Sequence, residues 1–227
     1  MKTVILIRHA ETAMAGRFCG HSDPDLNAAG LAQLPRIVRQ VGLSRIDRML
    51  CSDLHRARQT ALAIARKFEI SVELRPTLRE IHFGLWEGLR WSEIEARFPH
   101  EAEAWLHDFP ARAAPKGESY AEFLERIDGE FLSLLAGEVD ERLVVVTHRG
   151  VMRSALTRFF GFSEQEAFDR TALYGAVVSV VCPSAGRLGA GNGFEIRLHS
   201  DFCRSAADGN PHSMRRGMIC QRTEEGR

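Results

Sequence analysis

Lysine is nearly missing from this chain of 227 residues. Of its 30 basic residues only Lys2, Lys67 and Lys116 are lysine, and the other 27 are arginine. Net charge is missing as well: 30 carboxylates cancel the 30 cations, so no global field draws the chain to nucleic acid or to an anionic membrane. Paired cysteines are lacking. The five cysteines are odd in number and contain no CxxC, which fits reduced thiols in a cytoplasmic protein better than a disulfide framework. Long apolar runs are lacking too. Val4-Ile5-Leu6-Ile7 is cut off by Arg8, His9 and Glu11, too early for the apolar region of a signal peptide. No other run reaches the roughly 18 residues of a membrane span. No internal repeat or shift of composition marks a second domain.

What is present is an ordinary core-forming composition, 44% hydrophobic, arranged as strands alternating with helices. Val4 to Ile7, Ile46 to Cys51 and Leu143 to Thr147 are continuous apolar runs bounded by charge, the pattern of strands buried on both faces of a parallel sheet. Between them, Leu54 to Phe68 and Tyr120 to Leu135 carry helical periodicity, the second opened by the capping box Ser119-x-x-Glu122. The alternation predicts an α/β fold. Asn27 to Val41 is helix-like, with Pro35 expected to kink or divide it. Short helices are predicted over Trp91 to Phe98 and Glu101 to His107, within an insertion at about 88–117. Later strands are expected at Ala176 to Cys182 and Phe194 to His199, joined by a Gly-rich turn. The domain is expected to span 1–204, and the polar tail 205–227 to be poorly ordered.

Two predicted strands end in histidine. The first runs into Arg8-His9-Ala10-Glu11-Thr12, and the third into His148-Arg149-Gly150. In open α/β sheets the carboxyl ends of neighbouring strands face one crevice, so His9 and His148 are expected to share a site. Arg56, in Ser52-Asp53-Leu54-His55-Arg56, falls in the first turn of a helix after another strand. With Arg8 it makes a pocket suited to a phosphate.

Leu6-Ile7-Arg8-His9-Ala10-Glu11-Thr12 resembles the signature of the histidine phosphatase superfamily. Three further blocks agree in order: Ser52 to Thr60, Leu78-Arg79-Glu80-Ile81-His82-Phe83-Gly84-Leu85-Trp86-Glu87-Gly88, and Val146-Thr147-His148-Arg149-Gly150-Val151. Lys116-Gly117-Glu118-Ser119 is a weaker fifth match. The resemblance covers about residues 1–182. It implies a three-layer α/β/α sandwich with a mostly parallel sheet, as in phosphoglycerate mutases. It also implies hydrolysis of a small phosphorylated metabolite through phosphohistidine on His9, with no metal and no cofactor. By the same resemblance Arg8, Arg56, His9 and His148 hold the phosphoryl oxygens, and Glu80 is the proton donor, helped by apolar Phe83 and Trp86. A backbone carbonyl is expected to hold the other ring nitrogen of His9.

Thr12, Arg17, His21, His82 and Arg149 are further candidates for contact with substrate, while Trp86 and Trp91 read as packing. Ala10 stands where the family has glycine, and Arg149 where it more often has a small residue. The segment Ala13 to Gly20 lacks the Trp-Asn pair of the mutases, so a phosphatase is favoured over phosphoglycerate mutase-type transfer. The loop after Thr12 and the Phe83 to Gly88 segment look most like α-ribazole phosphatases. A catalytically idle binder of phosphorylated ligands is the alternative of another class, disfavoured because a binder needs the cations but not Glu80. No cysteine is followed six positions later by arginine, which excludes a cysteine-dependent phosphatase.

Overall fold

The structure is a computed structural model that describes residues 2–136 and 141–182. The strand expected at Phe194 to His199, the Gly-rich turn and the tail lie outside the described residues. Five strands form one sheet: β1 (Lys2–Arg8), β2 (Arg48–Cys51), β3 (Glu73–Leu74), β4 (Arg142–Thr147) and β5 (Val177–Cys182). Their order is β3-β2-β4-β1-β5, and only β5 runs antiparallel to its neighbour.

The continuous apolar runs are explained by burial on both faces. Side chains alternate across a strand, so Val4 and Leu6 of β1 join Leu50, Leu143 and Val145 in one core, while Ile5 and Ile7 join Met49, Cys51, Val144 and Val146 in another. Helices α1 (Ala28–Gln40) and α2 (His55–Phe68) cover the second face. The first is covered by α5 (Tyr120–Leu135), α6 (Arg149–Phe159) and α7 (Glu164–Thr171). The result is the three-layer sandwich with a mostly parallel sheet.

Local signals set several boundaries. Ser119 and Glu122 form the reciprocal capping box that opens α5, and Ser163 and Glu166 do the same for α7. Pro99 starts α4 (Pro99–Asp108) directly after α3 (Trp91–Arg97), at a position where its missing N–H costs nothing. Pro35 departs from expectation, because α1 runs through it unbroken. Pro35 and Leu31, whose carbonyl loses its partner, both lie on the exposed face, where water can satisfy that carbonyl.

A third, smaller core lies above the carboxyl edge of the sheet. Trp86, Trp91 and Trp105 meet Phe18 with ring centroids 5.6–6.2 Å apart, and Ile94 and Ala102 complete the cluster. Trp86 therefore packs the helices of the 88–117 segment and is not the apolar neighbour of Glu80 that was expected.

Helix α1 approaches the β1 end so closely that a Cβ on Gly30 would lie 2.0 Å from the Glu11 carbonyl oxygen. Since backbone cannot yield as a side-chain tip can, Gly30→Ala should destabilise the fold by about 1–3 kcal/mol or more, read as a lower midpoint in urea.

Candidate active site

Parallel pairing of β1 with β4 brings the two histidines together. Arg8 is registered opposite Thr147, and the next amide, that of His9, donates to the Thr147 carbonyl at 2.9 Å. Both strands thus end at one level, with the His9 and His148 ring centroids 5.1 Å apart.

The hydrogen bonds of His9 fix its tautomer. Nδ1 lies 2.7 Å from the Ala10 carbonyl, which can only accept, so Nδ1 carries the proton. Nε2 lies 3.3 Å from Nε of Arg56, which can only donate, so Nε2 presents its lone pair. The carbonyl acceptor expected from sequence is therefore that of Ala10. The amide of Ala10 donates in turn to Thr60 Oγ1 at 3.1 Å, which ties this peptide to α2. Burial, with Arg56 and Arg8 alongside, pushes the His9 imidazole well below its ordinary range and keeps it neutral.

The arginines are held differently. Arg8 donates through Nη1 to the Thr171 carbonyl at 3.2 Å and to that of Ala172, and its Nε is buried without a partner among the described residues. Arg56 is fully buried behind His9, and its terminal nitrogens donate to the carbonyls of Ser22, Gly20 and Cys19 at 2.6, 2.7 and 3.3 Å. These bonds and the one from Nε to His9 engage four of its five N–H groups, and its charge acts on the site from behind His9. His148 is also fully buried, with Nε2 2.8 Å from Ser52 Oγ and Nδ1 without a partner among the described residues. Desolvation first, then Arg56, holds it neutral as well.

Glu80 faces this cluster from the other side. Its carboxylate accepts from the amides of Gly150 at 3.0 Å and Ile81 at 3.1 Å, so the first turn of α6 fixes its position. The Arg126 guanidinium gathers the carbonyls of Thr77, Arg79 and Glu80 at 2.7–3.0 Å and anchors the segment that carries the carboxylate.

A family model of the histidine phosphatase superfamily (branch 1) matches residues 4–189. The chain belongs to the histidine phosphatase superfamily. It is 30% identical over 156 residues to the adenosylcobalamin/alpha-ribazole phosphatase of Salmonella typhimurium, covering 67% of this chain and 77% of that one. It is 34% identical over 183 residues to the metal-independent phosphoserine phosphatase of Arabidopsis thaliana, covering 78% and 75%. A solved structure of phosphoglycerate mutase from Thermus thermophilus superposes with a TM-score of 0.60 at 35% identity, covering 80% of this chain and 94% of that one. Like its curated phosphatase relatives, the protein is a phosphatase.

In this histidine phosphatase the site opens into a cavity of about 440 Å³, a size suited to a small molecule. Arg8, His9, Thr12, Glu80, Arg17 and Arg149 line its polar part. Arg17 is engaged by the Gly88 carbonyl at 2.8 Å and by Glu93 at 3.1 Å. Arg149 rests on the Phe168 ring, 4.4 Å from its centroid. His21 and His82 depart from expectation: they pair with each other at 4.7 Å and do not line the cavity, since His21 Nε2 donates to the Glu80 carbonyl at 3.1 Å. Arg153, Ser154 and Glu164 add further polar groups, and an aromatic stretch of wall is formed by Phe83, by Trp105 and Phe109 of the 88–117 segment, and by Tyr120 and Phe123 of α5.

Sequence reasoning missed Tyr174, whose ring lies 5.6 Å from that of His9. A signal was available. An antiparallel last strand begins at the edge where its parallel neighbours end, so the residues just before β5 belong to the site.

Two outcomes test this geometry. His9 and His148 titrate lower in the folded than in the unfolded chain, so unfolding takes up protons below the unfolded value near 6.5. Their stabilisation is complete above that pH and declines as pH falls, by about 1.4 kcal/mol per pH unit for each group, measurable by urea unfolding between pH 8 and 5. A Cβ on Gly150 would lie 2.3 Å from the Glu80 carboxylate, so Gly150→Ala should lower kcat/KM on the order of 100-fold while leaving the unfolding midpoint nearly unchanged.

Proposed function

We propose that this phosphatase hydrolyses a small phosphorylated metabolite in two displacements, through phosphohistidine on Nε2 of His9. The observation that carries the reading is the pair of bonds on His9, which put the proton on Nδ1 and leave Nε2 as the nucleophile. In the first step the Nε2 lone pair attacks phosphorus and the ester P–O bond breaks, and Glu80 in its acid form gives its proton to the leaving alkoxide. In the second, Glu80 takes a proton from water, the hydroxide attacks phosphorus, and the P–N bond breaks to return neutral His9.

Charge on the phosphoryl oxygens is met by Arg8, through the unpartnered Nε, and by Nδ1 of His148, with the Arg56 charge behind His9. One cation about 4 Å from a unit charge is worth roughly 4 kcal/mol at an effective dielectric of 20, before desolvation. Thr12, Arg17 and Arg149 line the cavity and are the candidates to meet the remainder of the ester.

For the substrate, the aromatic wall favours a leaving group with a flat apolar part, and the α-ribazole phosphatase relative points the same way. We therefore take α-ribazole 5′-phosphate as the preferred ester. The free thiols Cys19, Cys51 and Cys182 fit a cytoplasmic setting.

Acid-quenching the wild type during turnover of a labelled ester should leave acid-labile, base-stable phosphate on the protein. His9→Ala should retain none and lose at least about a thousandfold in kcat. Across α-ribazole 5′-phosphate, phosphoserine and 3-phosphoglycerate, kcat/KM should be highest for the first. Phosphate moving between the carbons of 3-phosphoglycerate faster than it is hydrolysed would show a mutase. Phosphate binding with neither label nor turnover would show an idle binder.

A further inference from the structure

We propose that Tyr174 is a positioning residue for phosphate recognition, holding the Arg8 guanidinium by its face so that the free Nε edge stays turned to the phosphoryl group. The proposal rests on the reading that Arg8 binds the phosphoryl oxygens, and goes beyond it by assigning what orients Arg8.

A guanidinium at the end of a strand has several rotatable bonds, and its affinity for an anion depends on whether its planar fork is already aimed. In this structure two kinds of contact remove that freedom. Nη1 is pinned in the plane by the carbonyls of Thr171 and Ala172, which stand at the end of α7, where helix carbonyls lack intrahelical partners. Over the Tyr174 ring, the guanidinium carbon lies 4.0 Å from the centroid, within the range of a cation–π contact. The ring lines the cavity and also meets His9, so one side chain touches both the anchor and the nucleophile.

The segment carrying Tyr174 is itself fixed. The Gly175 amide donates to the His9 carbonyl at 3.1 Å, and the Arg8 amide donates to the Ala176 carbonyl at 2.9 Å. Gly175 has φ +68°, and a Cβ there would come within 2.7 Å of Ile37, so only glycine serves at this turn. Arg36 adds bonds to the carbonyls of Tyr174 and Gly175 at 3.3 and 3.4 Å. The ring is thus delivered over Arg8 by backbone that has little freedom to move.

The test uses the full chain, with inorganic phosphate as the probe, its dissociation constant measured by calorimetry and its inhibition constant during hydrolysis of p-nitrophenyl phosphate. Tyr174→Leu keeps apolar bulk and removes the ring, and should weaken phosphate binding about tenfold, with the larger change in KM than in kcat. Tyr174→Phe should restore most of that loss, because it returns the ring without the hydroxyl. Trifluorophenylalanine at 174 retains the shape and strips the negative face. It should weaken binding severalfold relative to Phe, and it answers the question should the leucine variant fail to fold. Unchanged phosphate affinity in the leucine or the trifluoro variant would overturn the proposal, as would a phenylalanine variant as impaired as leucine. If the wild type itself failed to bind phosphate, the reading of the site would fall, and this inference with it.

Discussion

The Nδ1 proton of His9 is held by the carbonyl of its own neighbour, Ala10, and that single bond decides what the cavity can do. With the proton fixed on Nδ1, the lone pair stands on Nε2, against Arg56. Everything nearby serves to keep that peptide and that ring where they are. The Ala10 amide is tied to Thr60 on α2, the His9 amide to Thr147 on β4, and the His9 carbonyl to Gly175 ahead of β5. His9 is thus bolted to three separate elements of the sandwich. Such fixing is what lets a positioned group act without paying for reorganisation during the reaction.

Burying two arginines beside two histidines is costly, and the fold offsets the cost with backbone oxygen. Arg56 spends its terminal nitrogens on three carbonyls of the loop after Phe18, and Arg8 spends Nη1 on the open carbonyls that end α7. Neutral dipoles satisfy the hydrogen bonds without cancelling the charge. The positive potential therefore remains available to a phosphoryl group, and it adds to burial, the larger cause, in keeping both imidazoles unprotonated at neutral pH. Zero net charge over the chain and a concentrated positive field at one edge of the sheet are compatible, because net charge is a sum and Arg8 and Arg56 are buried together at that edge. Glu80 and Glu164 both line the cavity, and Glu80 is held over the site by the first turn of α6.

The sheet and its chemistry were legible in sequence because both follow from short local patterns. Val4 to Ile7 and Leu143 to Thr147 read as strands covered on two faces, and each runs on into a histidine. Ser119 and Glu122 announced α5. What was not legible depends on contacts between distant segments. Pro35 is tolerated because its lost bond faces solvent, and no local rule reports which side of a helix is wet. Trp86 and His82 sit within the Glu80 block and His21 in the loop after Thr12, yet their side chains turn away, Trp86 toward the aromatic cluster and the two histidines toward each other. Arg149 reaches the cavity while resting on Phe168, a neighbour on a different helix that no local pattern supplies. Tyr174, Trp105 and Phe109 reach the cavity from chain far from any signature residue, and they give it the apolar wall on which substrate choice depends.

The site of phosphorylation tests the central claim most directly. With His9 labelled with nitrogen-15, the phosphorylated enzyme should show one-bond coupling between phosphorus and Nε2, with Nδ1 still protonated and bonded to the Ala10 carbonyl. Phosphorus on Nδ1 of His9, or on His148, would contradict the assignment of the nucleophile and the role given to the Ala10 bond.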